Sequence, residues 1–276
     1  MRSRIAGWVL AGLLWAGMVT AGLLAAGLLS AGPSLAQDGA APTSAKAEKA
    51  AKAEKSASSE PAPPHDLSGV WNMHATPAQR KFINSTWSAE GPTMTAWEQA
   101  RYEQAKPSNG PRTHNLQETD DPVLRSCLPP GVPRIYLQPF PLEIVQTAKE
   151  TLILYEYDHT VRRIFTDGRP HSADLIPSYM GDSIGRWDGE TFVVDTIGLN
   201  DKTWLDRDGH GHSDELHVTE RFHRTDRDNM QIGIMMDDPK ALAKPWVSQI
   251  YMQLKPEWDV LEQVCTDNAG FLGFEK

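Results

Sequence analysis

Nearly every short pattern that announces a cofactor or a covalent mechanism is missing from this chain. It has only two cysteines, Cys127 and Cys265. They form no Cys-x-x-Cys pair, which excludes a thioredoxin-like redox motif and c-type haem attachment. No His-Glu-x-x-His and no nucleotide-binding glycine loop is present, and an α/β-hydrolase serine triad is not expected. Positive charge is also short. The net charge is −9, and such a surface repels nucleic acid and anionic lipid head groups. A neutral or cationic, partly apolar small molecule is the natural partner. Beyond about Leu29 no stretch is apolar enough to cross a membrane.

What is present begins with an export signature. Arg2 and Arg4 precede a Gly/Ala/Leu run from Ile5 to about Leu29, and Ser34-Leu35-Ala36 offers small residues for cleavage before Gln37. Residues 1–36 therefore read as a signal peptide, or as a membrane anchor if the leader is retained. Either outcome places the remainder in the periplasm or outside the cell. Residues 37–64 hold Ala, Lys, Glu, Ser and Pro without an aromatic side chain. They cannot bury enough apolar surface to offset ordering entropy and read as a linker. Residues 65–276 are long enough for one domain with its own core. Two cysteines in an oxidising compartment predict one disulfide, Cys127–Cys265. It closes a loop of roughly 140 residues and stabilises by a few kcal/mol in the loop-entropy model. The alternative is two unpaired thiols.

The domain reads as all-β. Candidate strands are Leu142–Thr147, Thr151–Tyr157, Thr160–Thr166, Asp182–Trp187, Thr191–Ile197, Glu215–His223, Asn229–Met236, Trp246–Leu254 and Asp259–Cys265. Most are separated by tight polar turns such as Asp188-Gly189-Glu190. That spacing predicts an antiparallel meander, which must close or be covered to hide its edges. Gly69-Val70-Trp71 is the Gly-x-Trp with which lipocalin-like barrels often begin. Thr95-Ala96-Trp97-Glu98 fits a capping box and predicts a short N-terminal helix to about Ala105. Eight prolines between Lys106 and Pro141 predict an extended arm across the barrel mouth or an edge.

Imperfect alternation points to inward charges. Glu220 shares a strand face with Leu216, Val218 and Phe222; Asp195 shares one with Val193; Arg163 shares one with Val161 and Phe165. If the apolar faces are internal, these three charges converge inside the barrel, as an ion-pair network or as a polar site.

Two segments concentrate the polar chemistry. Leu205–His217 contains Asp206, Asp208, Gly209 and Glu215 at calcium-loop spacing, but Trp204 stands where the first ligand belongs. His210, His212 and His217 suit zinc or iron by ligand type; the competing reading is a polar, His-rich turn with no cofactor. The second segment holds Arg162, Arg163, Asp167, Arg169 and His171, followed by Asp174, Tyr179 and Asp182. There His171 can exchange protons near neutral pH and Arg can clamp an anion.

The runs Arg162–Arg169, Met180-Gly181-Asp182-Ser183-Ile184-Gly185-Arg186-Trp187, Val193–Gly198, Thr203–Asp206 and His212–Phe222 resemble a family of exported bacterial proteins with a lipocalin-like barrel. The resemblance spans about Ser68 to Asn268 and implies that fold in a secreted protein. It carries no mechanism to transfer.

The resulting expectation is a small-molecule-binding β-barrel, with Trp71, Tyr155, Tyr179, Trp187 and Phe222 forming the ligand walls. Acid/base chemistry of isomerase, lyase or hydrolase type would use His171 or His212 as base and Asp195 or Asp182 as orienter. Arg163 would stabilise an anion, and Glu220 is a further inward candidate. A non-catalytic carrier or envelope interaction protein, and a metal enzyme built on His210, His212 and His217, are the alternatives.

Overall fold

The computed structural model describes residues 64–269; the leader and all of the linker before Pro64 lie outside the described residues. Nine strands close into one barrel in chain order. They are β1 Gly69–Met73, β2 Leu142–Gln146, β3 Glu150–Tyr155, β4 Val161–Phe165, β5 Asp182–Asp188, β6 Thr191–Ile197, β7 His217–Arg224, β8 Asn229–Asp237 and β9 Trp246–Leu254. Closure is made by β1 against β9, with Trp71 opposite Leu254. Three short helices, α1 Ala96–Gln104, α2 Pro122–Ser126 and α3 Cys265–Ala269, lie outside the sheet.

The all-β barrel agrees with the sequence reading, with two differences in its construction. First, β4 and β5 run parallel, Ile164 opposite Ser183, while every other pair is antiparallel. A parallel neighbour cannot be reached by a hairpin, so residues 166–181 carry the chain back along the barrel. Second, Asp259–Cys265 is not a strand. It makes one bridge, Gln263 to Tyr157, and then enters α3. Since β1 already occupies the free edge of β9, no edge remains there for a further strand.

Gly69 and Trp71 explain the Gly-x-Trp signature. Gly69 has φ +124°, and a Cβ there would stand 2.7 Å from Leu254 Cδ1. Trp71 is fully buried and donates its indole N–H to Leu67 O at 2.8 Å. Around it Ile164, Phe192, Val194, Val218, Phe222 and Ile232 fill the interior, each 1% exposed or less. Burying side chains of this size contributes about 1.5–3 kcal/mol apiece.

The inward charges are only partly those expected. Glu220 does face inward and is fully buried. Arg163 does not: its side chain is 59% exposed and pairs with Glu150 at 2.8 Å. Arg162 takes the interior position instead, 1% exposed, beside Ile164. Both faces of β4 carry one arginine and at least one apolar residue, so alternation alone could not choose between them. The register chooses, setting Arg162 opposite buried Ile153. Asp195 likewise lies off the inner face, which β6 builds from Phe192, Val194 and Thr196.

Inside the barrel the Arg162 guanidinium forms a fork on the Glu220 carboxylate, with Nη1 at 2.9 Å from Oε1 and Nη2 on Oε2. Nη2 also donates to Thr196 Oγ1 at 2.8 Å, and Nε reaches Ser183 Oγ at 3.3 Å. The arm completes this network. A 3₁₀ turn at Arg134–Leu137 enters the mouth, and the Tyr136 hydroxyl donates to Glu220 Oε1 at 2.7 Å. The arm is therefore a plug rather than a strap. Burial and the Glu220 charge hold Tyr136 well above the usual phenol range, so it stays a neutral donor.

Strand directions place the long connections at one end of the barrel. The arm, the β6–β7 loop and the β8–β9 loop all gather there. The opposite end has the tight turns at Gly189 and at residues 225–228. The chemically unusual side chains outside the barrel core collect at the plugged end.

Candidate functional site

Helix α1 starts as the capping box predicts, with Thr95 Oγ1 accepting the Glu98 N–H at 3.3 Å. The reciprocal half of the box is not made. The Thr95 N–H donates to Ala241 O at 2.9 Å, which leaves the Glu98 carboxyl free to turn onto the β6–β7 loop. There Oε1 accepts the Gly211 N–H at 2.6 Å, while Oε2 accepts no hydrogen bond and lies 3.5 Å from Arg101 Nε. Glu98 is 1% exposed. Burial raises its pKa, against the lowering effect of the Gly211 N–H and the Arg101 charge. Gly211 is required by this approach, because a Cβ would stand 2.8 Å from Oε1.

The loop that meets Glu98 is the His-rich turn, and it is firmly tied. Asp206 Oδ1 accepts the N–H groups of Asp208 and His210 at 3.0 and 3.2 Å, and Oδ2 lies 2.6 Å from His210 Nδ1. The His210 ring stacks on Tyr102 at 4.5 Å and meets Trp246 edge-on. Ser213 donates through N–H and Oγ to the two Asp238 oxygens, at 2.6 and 2.8 Å. His212 is 1% exposed, and burial lowers its pKa. Its Nδ1 lies 2.9 Å from Ser213 O. A carbonyl can only accept, so Nδ1 carries the proton and Nε2 keeps a buried, unpartnered lone pair.

This geometry does not bring the three histidines together as one ligand set. His210 is engaged by Asp206 and Tyr102, His212 by Ser213 O, and His217 by Asp195. Among the described residues, no group of three or more His, Cys, Asp or Glu side chains could hold a metal ion. The calcium reading fails similarly, since the Asp206 carboxylate is consumed by its own loop.

A cavity of about 440 Å³ opens beside this contact. Glu98, Arg101, Asp120, Lys202, Trp204 and Gly211 are among its wall residues. It lies outside the barrel, among α1, the arm and the β6–β7 loop. The expected ligand walls are packed otherwise. Trp71, Tyr155 and Phe222 are core residues no more than 4% exposed. Trp187 stacks on His65 and leans on Phe192. Tyr179 holds the arm through its backbone, its carbonyl accepting the Val132 N–H at 3.0 Å. None of the five borders the cavity.

Three proposed catalytic residues do come together, on the outer side of the same end. His171 Nδ1 is 2.9 Å from Asp182 Oδ2, and Nε2 is 3.0 Å from Asp195 Oδ2. The other Asp195 oxygen is 2.5 Å from His217 Nε2. Burial opposes a charged His171, but hydrogen bonds to Asp195 and Asp182 outweigh it and raise its pKa. Burial would raise Asp195, yet bonds from His171 and His217 leave it lowered. Arg163 lies on the strand beside Asp182 but is paired with Glu150, and His212 and Glu220 are buried apart from this cluster, so His171 meets its expected orienters without the anion clamp. With both His171 ring nitrogens on carboxylates, the imidazolium is a structural cross-link.

The linkage has a definite sign. His171 contributes stability below its unfolded pKa of about 6.5, lost as pH rises through the raised folded value. Asp195 contributes above its unfolded pKa of about 3.9, lost as pH falls through the lowered folded value. Asp195→Asn is therefore expected to move the His171 titration down and to flatten the stability profile above pH 6. NMR titration of the imidazole protons checks this; an unmoved His171 midpoint would show that the His171–Asp195 pair does not form in solution.

Gly181-Asp182-Ser183-Ile184-Gly185 has the Gly-x-Ser-x-Gly spacing of a nucleophile elbow. Its context is wrong for one. Ser183 sits within β5, 1% exposed, bonded to Thr196 and Arg162 and with no histidine partner. Ser183 is therefore not a nucleophile elbow.

No family model matches the chain, and no curated protein or solved structure matches it.

Proposed function

We propose that this is an exported protein that binds a small polar molecule in the cavity beside Glu98 and exchanges a proton with it there. The observation that carries the reading is the Glu98 carboxyl. It is buried at the wall of a 440 Å³ cavity, its pKa is raised, and one oxygen lacks a hydrogen-bond partner. A carboxyl so placed can donate a proton at a pH where exposed glutamates cannot. Arg101 and Lys202 would counter developing negative charge on a substrate. The chemistry open to this set is proton transfer without a covalent intermediate, as in isomerisation or elimination. Disulfides such as Cys127–Cys265 persist mainly in oxidising compartments, which supports the export reading, as do the leader-like residues 1–36.

The test is carboxyl-detected NMR of the intact domain during a screen of small neutral and cationic polar compounds, with solvent deuterium incorporation measured for each hit. Hits are expected to shift the Glu98 resonance, and Glu98→Gln is expected to slow deuterium incorporation by 10²-fold or more. Ligands that bind without touching Glu98, or exchange that survives the substitution, would end the proposal. The same variant has a stability signature. Glu98 has a raised pKa, so the wild type loses stability as pH rises from about 4.3 through the folded value. Glu98→Gln should lack that loss and match or exceed the parent near pH 8.

A further inference from the structure

A second cavity, of about 180 Å³, borders α2 and shares no wall residue with the first. Its apolar walls include Leu124, Phe140 and the Cys127–Cys265 disulfide; its polar wall residues include Arg134, Arg207 and Gln138, and no carboxylate lines it. Arg134 is 1% exposed. Its Nη2 donates to Asp121 Oδ2 at 2.5 Å, but Nε and Nη1 are buried without a partner. Gln138 Nε2 is likewise buried and unpartnered. Arg207 adds a second guanidinium, with Nη1 on Asn84 O at 3.2 Å. The nearby acids do not meet this surplus. Asp121 engages Nη2, and Asp208 is turned to Ser85.

Buried cationic donors without acceptors are costly, because their lost hydration is not replaced. The wall therefore has an unmet demand for a planar, two-oxygen acceptor, which is what arginine recognises best. The rest of the cavity demands hydrocarbon. Its volume equals roughly six waters at about 30 Å³ each, the size of a single ring or a short chain. We propose that this cavity binds a small monocarboxylate, with its oxygens on Arg134 and Gln138 and its apolar body against Leu124, Phe140 and the disulfide. The overall negative charge of the protein disfavours anions in general, so recognition here is local and depends on the ligand being buried. The proposal is independent of the Glu98 reading.

Calorimetric titration of the full disulfide-bonded protein with benzoate and hexanoate, against benzamide and hexanamide, tests it. Each carboxylate is expected to bind one to one, at least tenfold more tightly than its amide. Arg207→Gln should weaken benzoate by about tenfold, Leu124→Trp should abolish binding by filling the cavity, and Glu98→Gln should change nothing. Failure of both carboxylates to bind would overturn the proposal, as would amides binding equally well or saturable binding that persists in a folded Leu124→Trp protein. If either cavity variant does not fold, the carboxylate–amide comparison on the unmodified protein decides alone.

Discussion

Replacing Arg162 by alanine is expected to lower the unfolding free energy by about 3–5 kcal/mol, a large part of the margin of a domain this size. The cause is the charge left behind. Glu220 is fully buried, and its partners after the substitution would be only the Tyr136 hydroxyl and whatever water enters. Ser183 and Thr196 would also lose the guanidinium N–H groups they accept, keeping only their bond to each other. Removing the whole network is a different experiment. Arg162→Met, Glu220→Leu and Tyr136→Phe together leave no charge to desolvate, and the triple variant should recover most of the loss. Urea denaturation of both proteins measures the difference. A single variant that loses less than about 1 kcal/mol would mean that water already reaches Glu220, and that the arm does not seal the mouth.

The second large effect concerns the crosslink. Cys127 and Cys265 are disulfide-bonded at a sequence separation of 138, and replacing both by alanine is expected to cost about 2–5 kcal/mol. Most of that arises in the unfolded chain, which gains freedom when so long a loop is released. The urea m-value should rise as well, because the uncrosslinked unfolded state exposes more surface. There is also a local consequence. The bond joins Cys127, which caps the end of α2, to α3, and so keeps the last described segment beside the arm. Equal midpoints and slopes for the oxidised and reduced proteins would show that the bridge is absent or without thermodynamic effect.

The barrel was legible because its signals are local. Turns such as Asp188-Gly189-Glu190 and two-residue alternation mark strands wherever they occur, and eight of the nine long candidates became β2 to β9. The Gly-x-Trp run became β1, and the pairing of the two cysteines was suggested by their number. The inward face of β4 was not legible. Val161-Arg162-Arg163-Ile164-Phe165 offers an arginine on either side, and only pairing with β3 and β5 selects Arg162. The crossover after Phe165 was hidden for a related reason, since Thr166-Asp167-Gly168 makes a turn without stating where the next strand will lie.

The candidate site was less legible still. Glu98 reads locally as the fourth residue of a capping box, and the cap does form. What makes it more than a cap is that Ala241, far along the chain, takes the Thr95 N–H, while Gly211 receives the displaced carboxyl. His210, His212 and His217 looked like a ligand set because they are close in sequence. Each found a different partner, because a tied loop points neighbouring side chains in different directions.

The strands themselves, the helix start and the disulfide were thus legible in the sequence alone, since each depends on residues near one another or on a count. Which charges are buried, that Tyr136 plugs the barrel, and that the two cavities described lie outside it were decided only by the tertiary structure. Burial, and the pKa and hydrogen-bond demands that come with it, depend on distant segments meeting, and no local pattern records where they meet.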